Sequence, residues 1–342
     1  MDKSKKKVIL IATASVAALL LAAAAIVAPY MLGGAKTSAT IYVYPEMTGA
    51  TLADSIADRQ ERAFADRVAT LLRLLDVDIA KRAGAYSIAE GESPIAVARK
   101  IRNKHQTGIK FTFHNVRTKE QFAERAAARF MMSKDDVLRV LADSAFCASL
   151  GKDTVNVVNV LIPDSYEFFW AVTPQALING LAKYARRFWT DSRKAKAEAL
   201  GLTPDEVCVI ASIVEEETAK SDERGMVARL YINRFKQGMK LQADPTVKFA
   251  LGDFGIRRIT LAMLACDSPY NTYKYEGLPP GPIRLPESST IDAVLDAPQH
   301  DYTYMCAKED FSGYHNFTDN YAKHCANARR YQAELNKRGI MR

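Results

Sequence analysis

Thr203-Pro-Asp-Glu-Val-Cys-Val-Ile-Ala-Ser-Ile-Val-Glu-Glu-Glu217 holds the start of a buried helix and an unusual end to it. Thr203 is a capping residue, and Pro204 has the fixed φ that suits a first helical turn. Asp205 and Glu206 place negative charge at the positive end of the helix dipole. The pattern predicts a helix from there to about Lys220. At ~100° per residue, with Val207 at zero, the apolar residues Val207, Val209, Ile210, Ala211, Ile213 and Val214 centre near ~315°. Glu217 falls ~35° from that centre, whereas Glu215 and Glu216 fall well away from it. One acid of the three is thus aimed at the buried face, where desolvation raises a carboxyl's pKa toward the range of a general acid working near neutral pH. The other reading is a solvated acidic helix end with a frayed last turn. Acids at a helix C-terminus oppose the dipole, a local cost that helix stability does not explain.

Toward the C-terminus, a helix is expected over Glu223–Gln237, stopped by Gly238, and a last one over Ala322–Lys337. Between them, 240–318 reads as loop-rich with short β segments, broken by Asp-Pro, Ser-Pro, Pro-Pro-Gly and Leu-Pro. Toward the N-terminus, Thr173-Pro174 opens a helix to about Trp189, and 161–166 reads as a Pro-interrupted loop. Ser133 caps a helix to Leu141, and Thr118 with Gln121 forms a capping box for another reaching Met131. Ile109–Phe113 alternates as a strand. Earlier still, a strand at Ile41–Tyr44, a helix capped by Thr51, a helix over Glu61–Leu75, a strand at Gly84–Ile88 and a helix opened by Ser93-Pro94 make a compact unit. Its size suits a small carbohydrate-binding module and equally a plain α+β lobe.

From Val8 to Leu32 no residue is charged, which is long enough for a membrane-crossing helix. Lys3, Lys5, Lys6 and Lys7 precede it, so the N-terminus is expected in the cytoplasm and the body outside. The run exceeds the ~7–15 residues of a signal-peptide core, although the small residues Ala35 to Ala39 leave cleavage open. The 342 residues, 48% of them apolar, allow about two domains. Net charge is +8, but residues 2–7 carry +3 and residues 328–342 carry +4, leaving a body of +1. That distribution excludes a phosphate-tracking groove, and no nucleic-acid partner is expected. The cysteines, 147, 208, 266, 306 and 325, are odd in number and never spaced Cys-x-x-Cys, so neither a zinc framework nor a disulfide framework is implied; one bridge stays open.

Other chemistries find little support. There is no His-Glu-x-x-His, no Walker loop, no Gly-x-Ser-x-Gly and no Gly-x-Gly-x-x-Gly. The histidines form no metal-ligand spacing with nearby acids, and no metal or other cofactor is expected. His315 stands out because it lies in a Gly-Tyr-His-Asn-Phe-Thr loop. In 268–283, Tyr270, Asn271, Thr272 and Tyr273 could stack on sugar rings and bond hydroxyls; a rigid Pro-rich loop packed by aromatics fits the same composition.

Together these stretches resemble the endolytic murein transglycosylase, or YceG-like, family. The matching motifs are Ala211-Ser-Ile-Val-Glu-Glu-Glu-Thr218, Tyr231-Ile-Asn-Arg234, Gly238-Met-Lys-Leu-Gln-Ala-Asp-Pro-Thr-Val247, Ser268-Pro-Tyr-Asn-Thr-Tyr273, Gly277-Leu-Pro-Pro-Gly-Pro-Ile283 and His315-Asn-Phe317, with Pro163-Asp-Ser-Tyr166 upstream. Order and spacing agree over about 155–340. The family's catalytic glutamate matches Glu217, the residue the helical face selects independently. Two positions depart from the pattern: Glu216 stands where Lys is common, and Asp222 replaces Ser in Ser-Glu-Arg. The extra charge of Glu216 should push the neighbouring carboxyl's pKa up.

The resemblance implies an α+β fold: one N-terminal transmembrane helix (8–33) after a cytoplasmic tail (1–7), a small LysM-like lobe (38–115), and a mainly helical catalytic lobe with short β segments (116–342). It implies a lyase of bacterial peptidoglycan, held single-pass in the inner membrane with its body in the periplasm. Such an enzyme cuts the bond between N-acetylmuramic acid and N-acetylglucosamine inside nascent strands without water, leaving 1,6-anhydro ends and setting strand length. Glu217 would act as acid and then base. A groove between or beside the lobes is expected to hold the glycan, lined by Gln242, Asp244, Tyr270, Asn271 and Tyr273. Synthases of the elongation or division machinery are candidate partners. Two alternatives stand: a hydrolase with Asp244, Glu223 or Glu215 as second carboxylate, and a non-catalytic wall-binding divisome scaffold.

Overall fold

The computed structural model describes residues 3–256 and 259–338. The first two residues of the expected tail and the last four of the expected catalytic lobe lie outside them. The chain divides into two compact units. The first comprises the chain to Lys110 with Arg129–Met131 and Glu167–Val172; the second comprises Phe111–Ala128, Met132–Tyr166 and the chain from Thr173 on.

The first unit begins with α1 (Lys3–Met31). Its Lys7–Met31 stretch is long and apolar enough to cross a membrane, and none of it is buried. Beyond it, β1 (Ala39–Val43) pairs antiparallel with β2 (Gly84–Ile88), Ala39 opposite Ile88 and Val43 opposite Gly84. Between them run α2 (Gly49–Ala57) and α3 (Arg62–Leu74), packed together. Thr48, not Thr51, caps α2: the Thr48 hydroxyl accepts from Thr51 N–H while the Thr51 hydroxyl accepts from Thr48 N–H. The helix therefore starts a turn earlier than the sequence suggested. α4 (Pro94–Arg102) closes the core, in which Leu52, Ile56, Val68, Tyr86, Val97 and Ile101 are buried. β3 (Gly108–Phe113) and β4 (Asp164–Phe169) pair with each other. The stretch read as a Pro-interrupted loop thus runs into a strand directly after Pro163.

The second unit is mainly helical. α5 (Lys119–Ala127) is capped by Thr118, but Gln121 bonds Arg117 N–H rather than completing a box, and the helix ends at Ala127 instead of near Met131. α6 (Lys134–Ala142), the short α7 (Ser144–Ser149) and α8 (Pro174–Phe188) follow. The polar α9 (Asp191–Ala199), which gave no apolar pattern, is capped by Thr190. α10 (Pro204–Glu217) opens with a full capping box of Thr203 and Glu206 and ends three residues before the expected stop, because Thr218 turns extended. Every residue from Val207 to Val214 is buried. The helix is therefore apolar all round rather than two-faced, as expected of a core helix. α11 (Arg224–Lys236), α12 (Asp244–Leu251) and α14 (Ser288–Leu295) pack on it, and the four-residue α13 (Leu261–Leu264) lies between the last two. The loop-rich region therefore holds three helices among the described residues. It also holds a short hairpin, β5 (Tyr304–Ala307) with β6 (His315–Thr318), against which α15 (Tyr321–Lys337) packs. The five cysteines are unpaired.

Candidate active site

α10 delivers its last residue to a cavity of about 340 Å³ in the second unit. α11 supplies Tyr231 and Arg234, one helical turn apart. The start of α12 and the loop segment before it supply Asp244 and Gln242, and Tyr273, Tyr304, Tyr321 and His324 also line the wall. The Tyr231 hydroxyl donates to Glu217 Oε1 at 2.6 Å. Burial pushes the Glu217 carboxyl up to about 7; the Tyr231 bond opposes this, and the nearby charge of Asp244 adds to it. Glu216 acts in the upward direction expected, as the smallest of these influences.

The other two acids at the helix end are not solvated. Glu215 has 5% of its side chain exposed, pairs with Arg284 at 3.0 Å and accepts the Glu287 N–H. Glu216 is held by Arg284 at 2.7 Å and by a two-pronged Arg117 at 3.0 and 3.1 Å. Both acids point inward because two guanidiniums meet them, which a helical projection cannot register. The pairing also offsets the dipole cost of three acids at a C-terminus. Just past the helix, Thr218 is buried and its hydroxyl donates to Glu223 at 3.3 Å. Glu223 accepts the His315 N–H at 2.7 Å and lies 2.7 Å from His315 Nδ1. His315 thus clasps the turn behind Glu217 and is not on the cavity wall.

Of the residues expected to line a glycan groove, Gln242, Asp244 and Tyr273 share the cavity with Glu217, the Tyr273 hydroxyl donating to Asp244 Oδ1 at 2.6 Å. Tyr270 and Asn271 are not on its wall. Asn271 is fully buried, its amide donating to the Leu264 and Cys266 carbonyls at 2.9 and 2.8 Å. Tyr270 packs on Phe249, with ring centroids 4.7 Å apart. Thr272 takes the Ala243 N–H at 3.0 Å and touches Thr246 at 2.8 Å. The 268–273 stretch is thus mostly a brace for the Gln242–Thr246 segment, and Tyr273 is its cavity-facing residue. Sequence reasoning quoted Tyr231 and Arg234 in a motif without giving them a role; their spacing of three on one helix was the available signal. Tyr304, Tyr321 and His324 gave none, since they reach the cavity only through tertiary packing.

The model of the YceG-like family matches residues 41–330. The endolytic murein transglycosylase of Bacillus subtilis (strain 168) is 32% identical over 250 residues, covering 67% of this chain and 68% of that protein. Two Streptococcus pneumoniae proteins of the same name match over shorter stretches: strain R6 at 32% over 155 residues, 27% of its length, and strain D39 at 37% over 111 residues, 20% of its length. The fold resembles the crystal structure of a YceG-like protein from Listeria monocytogenes, with a TM-score of 0.57 at 24% identity over 84% of this chain and 98% of that one.

Proposed function

The chain belongs to the YceG-like family, and from that premise we propose that it is a membrane-anchored lytic transglycosylase that cuts peptidoglycan strands internally. The observation that carries this reading is the Glu217 carboxyl on the cavity wall, with a pKa of about 7 and one oxygen held by Tyr231. A carboxyl at that pKa is protonated often enough to give a proton and is a strong enough base to take one back.

Protonated Glu217 donates to the glycosidic oxygen as the bond from that oxygen to C1 of the muramic acid breaks. The carboxylate then takes the proton of the C6 hydroxyl, whose oxygen bonds to C1 and closes the 1,6-anhydro ring. Atoms balance with no water consumed, and one carboxyl serves both steps, unlike the paired carboxylates of ordinary glycosidases. Tyr231 fixes the orientation of the carboxyl throughout. The βααβ arrangement of the first unit supports a LysM-like, glycan-binding lobe. α1 supports a single-pass anchor in the inner membrane, N-terminus inside and body in the periplasm. Held there, the enzyme would meet nascent strands near their synthases and set their length.

One observation favours a second reading. Of the three carboxylates considered as hydrolytic partners, Asp244 alone lies on the cavity; Glu215 and Glu223 are bound elsewhere. Mass spectrometry of products from uncrosslinked strands separates the readings. Internal fragments with 1,6-anhydro ends, absent with Glu217→Gln, are expected. Fragments one water heavier would make the protein a hydrolase, and no cleavage under conditions where a control enzyme digests the strands would leave a binding scaffold. Loss of activity in Glu217→Gln will not reflect unfolding. The amide keeps an acceptor for Tyr231, and it removes a carboxyl whose ionisation burial opposes above pH 7.

A further inference from the structure

Resting on the reading above, that the cavity takes peptidoglycan glycan, we propose that Gln242 reads the acetamido carbonyl of an amino sugar through its Nε2. Arg234 is a donor without acceptor capacity, and its Nη2 lies 2.6 Å from Gln242 Oε1. The amide oxygen must therefore face the guanidinium, and the amide cannot flip without setting N–H against N–H. Arg234 is itself buried and pinned: Nε and Nη2 donate to the Lys240 carbonyl at 2.9 and 2.7 Å, and Nη1 donates to the Thr303 carbonyl at 2.8 Å. Gln242 is held at its backbone as well, where N–H donates to the Thr272 carbonyl at 3.1 Å. Its φ of +53° lies in the left-handed region, which is strained for a non-glycine residue. A strained residue anchored at both ends is kept for what its remaining atoms do.

Those atoms are the two N–H donors of Nε2, which have no hydrogen-bond partner among the described residues. Several other donors of the wall are engaged: Arg234 on the Lys240 and Thr303 carbonyls, Tyr273 on Asp244, Tyr231 on Glu217. A neutral, pre-oriented N–H pair in the cavity that holds Glu217 is matched by a carbonyl oxygen. The carbonyls that recur along this glycan are the acetamido groups. A site that aims a fixed donor at such a group favours a sugar carrying it by the net worth of that hydrogen bond.

The test uses partly de-N-acetylated, uncrosslinked strands, digested by the full-length protein and by Gln242→Ala and Gln242→Glu. Fragment masses report the acetylation state of the sugars flanking each cut. Wild-type cuts should favour N-acetylated flanks about tenfold more strongly than Gln242→Ala cuts do. Gln242→Glu keeps an oxygen on Arg234 and removes the donor, so it should lose the preference with its thermal melt unchanged. Equal preference in wild type and both variants overturns the proposal while leaving the proposed function intact. Strands cut by neither wild type nor variants, but digested by a control enzyme, overturn the proposed function and this proposal with it.

Discussion

Glu217 sits where two effects oppose each other. Burial favours the neutral carboxyl, and the phenol of Tyr231 favours the carboxylate. The balance near 7 places the loss of this proton within the physiological range. On the proposed mechanism the acid form of the free enzyme is the competent one, so kcat/KM on soluble strands should be flat at acid pH and fall by one proton above about pH 7. Tyr231→Phe removes the larger of two influences that lower the pKa, the charge of Lys248 being the other, so the midpoint of that fall should move upward, while the plateau drops as the carboxyl loses its tether. A midpoint that stays or moves down in Tyr231→Phe would show that the tyrosine does not govern this carboxyl. At this scale the sequence was informative for Glu217 and less so for its surroundings. The helical projection reached Glu217, but it assumed a two-faced helix, whereas α10 is buried on every side from Val207 to Val214. What distinguishes Glu217 from Glu215 and Glu216 is that Arg284 and Arg117 claim the other two, and neither arginine is near them in sequence.

α10 keeps three consecutive acids at its negative end because the charges are answered from outside the helix. Arg284 has 7% of its side chain exposed and spans Glu215 and Glu216. Replacing it with methionine fills the volume but strands Glu215 in a buried position, and breaking a buried pair in this way costs about 3 kcal/mol. Urea denaturation of Arg284→Met should show that loss; a change under about 1 kcal/mol would mean the acids find water instead. Elements of this kind were legible at several strong caps: Thr203-Pro204, Thr173-Pro174, Ser133 and Ser93-Pro94 each open a helix. They were illegible where the cue was ambiguous. Asp244-Pro245 reads as a break, yet the proline occupies the first turn of α12, where its missing N–H costs nothing. α9 buries only Ala197, so it has propensity without periodicity. β5 and β6 are four residues each, too short to establish alternation. Ile291, Val294 and Leu295 of α14 do keep helical spacing, and the surrounding Pro-rich composition obscured it.

The whole chain separates its tasks along its length. The Lys7–Met31 stretch of α1 is apolar and unburied, while Glu217 and the cavity lie more than a hundred residues further on. The charge separates in the same way, with most of the excess at the two ends and a body close to neutral. The body is near neutral apart from the +4 of residues 328–342, whose attraction to an anionic bilayer salt screens, so the proposed membrane anchoring rests on α1, which is long enough to bury ~20 apolar residues in hydrocarbon. Removing residues 1–35 deletes that helix without taking Glu217, its cavity or either strand of the β1–β2 pair. The shortened protein should stay in the aqueous phase when mixed with phosphatidylglycerol–phosphatidylethanolamine vesicles, whereas the full chain co-floats with them. On free uncrosslinked strands both should give the same fragments, because in the proposed scheme the anchor sets where the enzyme acts and Glu217 what it does. If the shortened protein still floats, some surface of the body binds lipid and the division of labour is wrong. If it stays in solution but no longer cleaves strands that the full chain cleaves, the anchor contributes to catalysis itself and not only to its location.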